Sequence, residues 1–158
     1  MINGIEHFSF TVSNLEESLD FFCNKLGLEA TPIEHVDHPD VRQIVGMPEA
    51  RLRISLVKLP GDRNIELIQY IRPKGKSLDL TTSNTGVAHI AFEVSDIMAL
   101  YKDLSRQGIT FLSPPVWTHS NDGQRQWGVC YLKGPDNITF ELIEKKGMNG
   151  GESFADKR

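Results

Sequence analysis

Cysteine is nearly absent. The 158-residue chain has two, Cys23 and Cys130, far apart, and neither belongs to a Cys-x-x-Cys pair. That leaves no thiolate metal cluster to consider. Cys23 stands among Phe21, Phe22 and Leu26 and is expected to be a buried free thiol. Long apolar runs are also missing. None approaches the roughly 20 residues that a bilayer-spanning helix needs, so no membrane partner is expected. The first residues, Met1-Ile2-Asn3-Gly4, lack a charged region followed by an apolar run, so no signal peptide is expected. A reducing cytoplasm is the expected location. Dense basic clusters are lacking as well. Lys and Arg number 17 against 21 Asp and Glu, a formal charge of −4. The short pairs Arg51/Arg53 and Lys145-Lys146 read as solvated surface, so a nucleic-acid partner is not expected.

Against these absences stands an ordinary globular composition, 39% hydrophobic and 24% charged. The length suits one compact domain or two small modules sharing a core. Internal similarity favours two modules. Ile5-Glu6-His7-Phe8-Ser9-Phe10-Thr11-Val12-Ser13 aligns with Val87-Ala88-His89-Ile90-Ala91-Phe92-Glu93-Val94-Ser95, at an offset of 82 residues. Leu59-Pro60-Gly61-Asp62-Arg63-Asn64-Ile65-Glu66-Leu67-Ile68 aligns with Gly134-Pro135-Asp136-Asn137-Ile138-Thr139-Phe140-Glu141-Leu142-Ile143, at an offset of 75. A recurring block of this size marks a duplicated supersecondary unit.

Each copy reads the same way. An alternating strand opens it, at 5–12 and at 87–94, with Phe8, Phe10 and Val12 opposing His7, Ser9 and Thr11. A helix follows. In the first copy Ser13 or Asn14 caps it, Leu15, Leu19, Phe22 and Leu26 form its stripe, and Gly27 stops it. In the second, Asp96 caps, Ile97, Leu100, Tyr101 and Leu104 form the stripe, and Gly108 stops it. Three strands complete each copy, at 29–36, 51–59 and 64–71, then at 109–112, 126–133 and 138–144. Residues 37–50 read as an inserted loop with a short helix, 72–86 as a linker, and 113–124 as a polar loop. The expected fold is α+β: two tandem βαβββ modules forming an open, barrel-like mixed sheet around a cavity. One domain spans 1–146, built of modules 1–72 and 86–146, with a mobile tail at 147–158.

The repeat puts a histidine in each first strand and a glutamate in each last strand. Strand alternation turns His7, His89, Glu66 and Glu141 away from the helix side and toward the cavity. A single strand histidine is ordinarily a hydrogen-bonded structural residue, and a single glutamate can pair with an arginine such as Arg51, Arg53 or Arg125. Duplication weighs against both readings. Two carboxylates aimed into a cavity need compensation, and a divalent cation compensates two carboxylates and two imidazoles together. His7, Glu66, His89 and Glu141 are therefore the candidate metal ligands.

The segments Ile-Glu-His-Phe-Ser-Phe-Thr-Val, Asn-Ile-Glu-Leu-Ile-Gln-Tyr, Gly-Val-Ala-His-Ile-Ala-Phe-Glu-Val-Ser-Asp-Ile and Gly-Pro-Asp-Asn-Ile-Thr-Phe-Glu-Leu-Ile-Glu resemble the vicinal-oxygen-chelate superfamily. It includes glyoxalase I, methylmalonyl-CoA epimerase, extradiol ring-cleavage dioxygenases and fosfomycin- or bleomycin-resistance proteins. The resemblance covers about residues 3–146. One departure is Lys133-Gly134-Pro135-Asp136-Asn137 in place of the family's Asp-Pro-Asp-Gly-Asn turn, which should alter a loop and not the ligands.

The resemblance implies one divalent ion (nickel, cobalt, zinc, manganese or iron) on a four-ligand set like that of bacterial glyoxalase I. It implies an isomerase, epimerase or lyase that moves a proton α to a carbonyl through a metal-bound enediolate, with Glu66 or Glu141 as the catalytic base. The substrate class is a small molecule with vicinal oxygens or a thioester or other carbonyl, and a homodimer is implied. Alternatives are an extradiol-type ring-cleavage dioxygenase, which leaves three positions open on a two-His-one-carboxylate iron, and a non-enzymatic drug-binding protein of the resistance type. Glu66 as a fourth ligand counts against the first, and the complete set against the second. Weaker cavity candidates are Ser9, Thr11, Arg53, Ser55, Tyr70, Trp117, Arg125 and Tyr131, with Trp127 beside the 113–124 loop. For each, ordinary packing or a surface hydrogen bond is an equal reading. His35, His38 and His119 are expected to be solvent-exposed, although His119 could reach an anionic substrate group.

Overall fold

The computed structural model describes residues 1–120, 123 and 125–147. It divides into two compact units, Met1–Leu78 and Asp79–Arg158. The tail expected to be mobile lies, Gly147 apart, outside the described residues. Among the described residues no helix is long and apolar enough to cross a membrane.

In the first unit β1 is His7–Thr11, α1 is Leu15–Leu19, β2 is Glu29–Ala30 and β3 is Glu34–Val36. Then come α2 at Pro39–Ile44, β4 at Arg51–Leu59 and β5 at Arg63–Arg72. The strand order is β1-β5-β4-β2, with β3 also on β4. β1 runs parallel to β5, and the other pairs are antiparallel. The second unit repeats the plan with β6 at Ile90–Glu93, α3 at Ile97–Arg106, β7 at Val116–His119, β8 at Gln126–Lys133 and β9 at Thr139–Lys146. Its order is β6-β9-β8-β7, again with the first and last strands parallel. Both sheets are mixed, neither closes on itself, and the fold is α+β.

Period-2 burial sets the faces of both sheets. Ile65 and Leu67 of β5 are fully buried while Asn64, Glu66 and Ile68 are half-buried. Phe140, Leu142 and Glu144 of β9 are buried while Glu141 and Ile143 are half-buried. The buried faces carry the cores, with Leu15, Phe21 and Phe22 in the first unit and Ile97 and Leu104 in the second.

The helices start where the sequence predicts. Asn14 Oδ1 accepts from the Glu17 amide at 3.2 Å, and Asp96 accepts from Ala99 at 2.9 Å, each satisfying an amide with no intrahelical partner. Strand side chains add a second tether at repeat-equivalent positions. Gln69 donates to the Ser13 carbonyl at 2.7 Å, and buried Glu144 accepts from the Ile97 amide at 2.9 Å. Lys146 at 3.1 Å from Glu144 further offsets that buried charge.

Four expectations need correction. The first helix continues beyond Leu19 as a π-helical segment, Asp20–Lys25, with Leu26 N–H donating to the Phe21 carbonyl. The wider turn brings Phe21 and Phe22 both inside, so Phe21 joins the buried stripe. The strand expected at 29–36 is broken into β2 and β3. The strand expected at 109–112 is a lone bridge, Phe111 with Leu132. The edge strand is instead Val116–His119, inside the segment read as a polar loop. Pro114 and Pro115 cannot donate to a ladder, so a continuous strand forms only beyond them, where Val, Trp and Thr favour it.

Cys23 is half-buried rather than buried, whereas Cys130 is 2% exposed. Burial, and secondarily the charge of Glu141, pushes the Cys130 thiol up to about 11. Because an unfolded chain loses this proton at lower pH than the folded one, Cys130 makes stability fall as pH rises from about 9 toward 11. Native protein at pH 8 should label at Cys130 with a thiol reagent only at the rate of opening, and rapidly in denaturant. Fast native labelling mapped to Cys130 by peptide mass spectrometry would contradict its burial.

Candidate metal centre

The parallel pairing of first and last strands fixes how each histidine meets its glutamate. In the first unit Ser9 lies opposite Glu66, so His7 stands two residues along the same face. In the second, Ala91 lies opposite Glu141, and His89 again stands two residues before that position. The result is the same diagonal contact twice. His7 Nε2 is 3.3 Å from Glu66 Oε2, and His89 Nε2 is 3.0 Å from Glu141 Oε2. Exposures match too, with side chains 39% and 19% exposed in the first pair and 38% and 14% in the second.

This geometry suits a shared cation. Two donors about 2.1 Å from one ion and at right angles to each other lie about 3 Å apart. Each pair holds one imidazole nitrogen and one carboxylate oxygen at about that spacing, and His89 and Glu141 are directly hydrogen-bonded. Among the described residues, no group of three or more His, Cys, Asp or Glu is arranged to hold a metal.

The surroundings of the two pairs differ. Glu6 hydrogen-bonds His7 Nδ1, a partner the sequence reading missed. Its hydrogen bond holds the His7 imidazolium above the usual histidine range, burial works in the opposite sense, and the charge of Glu66 adds to the rise. A carboxylate on Nδ1 orients the ring and leaves Nε2 to serve as a donor. In the second unit Tyr131 lies opposite Glu141 across β8 and β9. Its ring meets the His89 ring edge-on, with centroids 5.2 Å apart. Burial, followed by the charge of Glu141, raises the Tyr131 pKa.

The remaining candidates sort by face. Ser9 and Thr11 share His7's face and are exposed. Tyr70 lies on the face of Glu66, half-buried. Arg53 and Ser55 pair with Gln69 and Leu67, which puts them on the opposite, helix-side face and removes them as partners of Glu66. Arg53 there binds Glu16 and, at 2.9 Å, Gln69, and Ser55 donates to the Thr31 carbonyl at 2.8 Å. Trp117 lies over Gly128, where a Cβ would come within 2.9 Å of the indole, and under Lys146 at 4.3 Å. Gly128 pairs with Glu144, so Trp117 too belongs to the helix side. Arg125 closes a turn with Ser120. Trp127 is 1% exposed and is part of the core. His35, His38 and His119 are exposed, and His38 Nδ1 accepts from the Asp40 amide to cap α2. The departing turn keeps its function: Asp136 and Asn137 take positive φ, and Lys133 bonds the Asn137 carbonyl and Thr139 Oγ1.

The profile of the Glyoxalase/Bleomycin resistance protein/Dioxygenase superfamily matches residues 4–142. The chain belongs to that superfamily. Among its relatives, a mitochondrial methylmalonyl-CoA epimerase of Dictyostelium discoideum is 28% identical over 150 residues, spanning 91% of this chain and 80% of that protein. A lactoylglutathione lyase of Neisseria meningitidis is 26% identical over 154 residues, spanning 94% of each. The crystal structure of a glyoxalase family protein from Bacillus cereus shares the fold, with a TM-score of 0.82 at 21% identity over 93% of this chain and 97% of that one. Superfamily relatives thus include enzymes named as an epimerase and as a lyase.

Proposed function

We propose that the protein is a divalent-metal-dependent isomerase, epimerase or lyase of the glyoxalase kind. Its reaction is proton transfer α to a carbonyl. The observation that carries this reading is the His–Glu contact made twice with one register and one spacing. His7 with Glu66, and His89 with Glu141, would together hold the ion, the two pairs coming from one chain or from two copies of it. When bound, the ion would supply Lewis acidity to a substrate carbonyl oxygen. The chain's own groups do the rest. The two imidazoles hold their nitrogens toward the site without adding negative charge. Glu66 or Glu141, placed beside the carbonyl, takes the α-proton on a carboxylate oxygen and returns it to the neighbouring carbon or to the opposite face.

The test combines metal content with proton exchange. Protein purified without chelator or affinity tag should carry about one nickel, cobalt, manganese or zinc ion per pair of His–Glu contacts, read by elemental mass spectrometry. In deuterium oxide it should exchange the α-proton of a hemithioacetal or a branched acyl-CoA, and either Glu66→Gln or Glu141→Gln should slow this by about 10²–10⁴-fold. Iron as the main metal together with catechol cleavage, or failure to bind any of these ions, would overturn the proposal.

A further inference from the structure

The two histidines of the repeat are held by different means. Glu6 stands just before β1, outside the run His7–Thr11, so strand alternation does not oblige its side chain to leave the face of His7. Its carboxylate is hydrogen-bonded to His7 Nδ1. Nε2 of the same ring stands 3.3 Å from Glu66 Oε2. Each ring nitrogen thus faces a different carboxylate, and the imidazole is spanned between Glu6 and Glu66. The second copy has Ala88 in the place of Glu6, and a methyl group accepts no hydrogen bond. The His89 ring is instead met edge-on by Tyr131, with centroids 5.2 Å apart. The Glu6 side chain is 78% exposed, and among the described residues its side-chain partner is His7. A surface contact of this kind adds little to stability, so its effect is on the ring it touches.

We infer that Glu6 is a positioning residue whose hydrogen bond fixes the His7 ring so that Nε2 is the nitrogen presented to the metal. The inference rests on the metal reading above. An imidazole can bind an ion through either nitrogen, and the one that does so is set by the hydrogen bond the other makes. An ionised carboxylate only accepts, so Glu6 keeps a proton on Nδ1 and directs donation to Nε2, the nitrogen beside Glu66. Without that bond the ring turns broadly about its outer torsion, which has no sharp staggered wells, and its two edges can change places. Hydrogen bonds from outside the coordination sphere hold a ligand's orientation, and removing one typically weakens metal binding about 10–100-fold.

Cobalt(II) binding tests this without recourse to activity. Wild type, Glu6→Ala and Glu6→Gln are titrated with cobalt under competition from a chelating dye, and the visible absorption of bound cobalt is recorded. Both variants lose the same charge, but only glutamine keeps a carbonyl oxygen that can accept from Nδ1. The expected result for Glu6→Ala, which copies the residue of the other unit, is a dissociation constant raised about 10–100-fold with an altered cobalt spectrum. Glu6→Gln should restore most of the affinity and the wild-type spectrum. Because Glu6 is exposed, the metal-free variants should keep the wild-type Tm. Unchanged affinity in Glu6→Ala overturns the inference. So does a loss in Glu6→Gln as large as in Glu6→Ala, which would mean that charge alone matters. Either result leaves the metal reading standing, whereas failure of wild type itself to bind cobalt overturns both.

Discussion

If the proposed metal site is right, alanine at His7 or at His89 is expected to weaken divalent-metal binding by about 100-fold or more. Removing a hydrogen-bond partner of a ligand already costs about 10–100-fold, and each histidine is proposed as a donor in its own right. The expectation for the two sites is the same because their geometry is the same. Both rings stand two residues from the strand partner of a glutamate, both present Nε2, and both are about two-fifths exposed. For that last reason the metal-free variants should keep wild-type stability within about 0.5 kcal/mol. Calorimetric titration with zinc or nickel, beside thermal unfolding of the metal-free proteins, measures both. If one alanine variant binds as the wild type does, that histidine is no ligand and the paired reading fails.

Leu67→Ala and Leu142→Ala should each cost about 2–5 kcal/mol of stability. They occupy repeat-equivalent positions, each next to a candidate glutamate, and their side chains are 0% and 1% exposed. Each points to the helix side of its sheet, so truncation removes buried apolar surface and leaves a cavity between strand and helix. Denaturant unfolding of the metal-free proteins reads the cost directly, and a loss below about 1 kcal/mol in either would contradict the packing. Together with the histidine variants this separates the two faces of one strand. Changes on the helix side move stability, and changes on the other side move ligand binding.

Much of this was legible in the sequence because it is written twice. The offsets of 82 and 75 residues reappear as a pairing register, Ser9 with Glu66 and Ala91 with Glu141. Turning His7, Glu66, His89 and Glu141 to one side needed only strand alternation. What escaped depends on which residue lies across from which. Arg53 and Ser55 passed as cavity candidates because alternation within β4 gives two sets of side chains without saying which set faces the helix. The pairing of Leu56 with Glu66 decides it against them. Tyr131 stood as one weak candidate among several for the same reason. Glu6 was hidden by its place before the strand, where adjacent residues ordinarily point apart. Before β7, Ile109-Thr110-Phe111-Leu112 has the composition of a strand, but Ile109 is still engaged with the end of α3 through the Leu104 carbonyl. The segment's pairing is confined to the bridge of Phe111 with Leu132, flanked by hydrogen bonds from Leu112 N–H to the Tyr131 carbonyl and from Lys133 N–H to the Thr110 carbonyl.

The two copies also differ in length, and the surplus sits in one place. From histidine to glutamate the first copy is longer, and the region of β3, α2 and their loops occupies that stretch before β4 begins. The β1–β5 pair lies outside it. Residues can thus be added or removed around α2 without sliding one strand past the other, whereas a single residue gained or lost within β5 would turn its carboxylate to the wrong side. An ancestral doubling could in this way diversify by whole segments while its shared chemistry stayed in frame. A protein engineer can exploit the same tolerance, grafting loops at 37–50 with little risk to the register of β1 on β5.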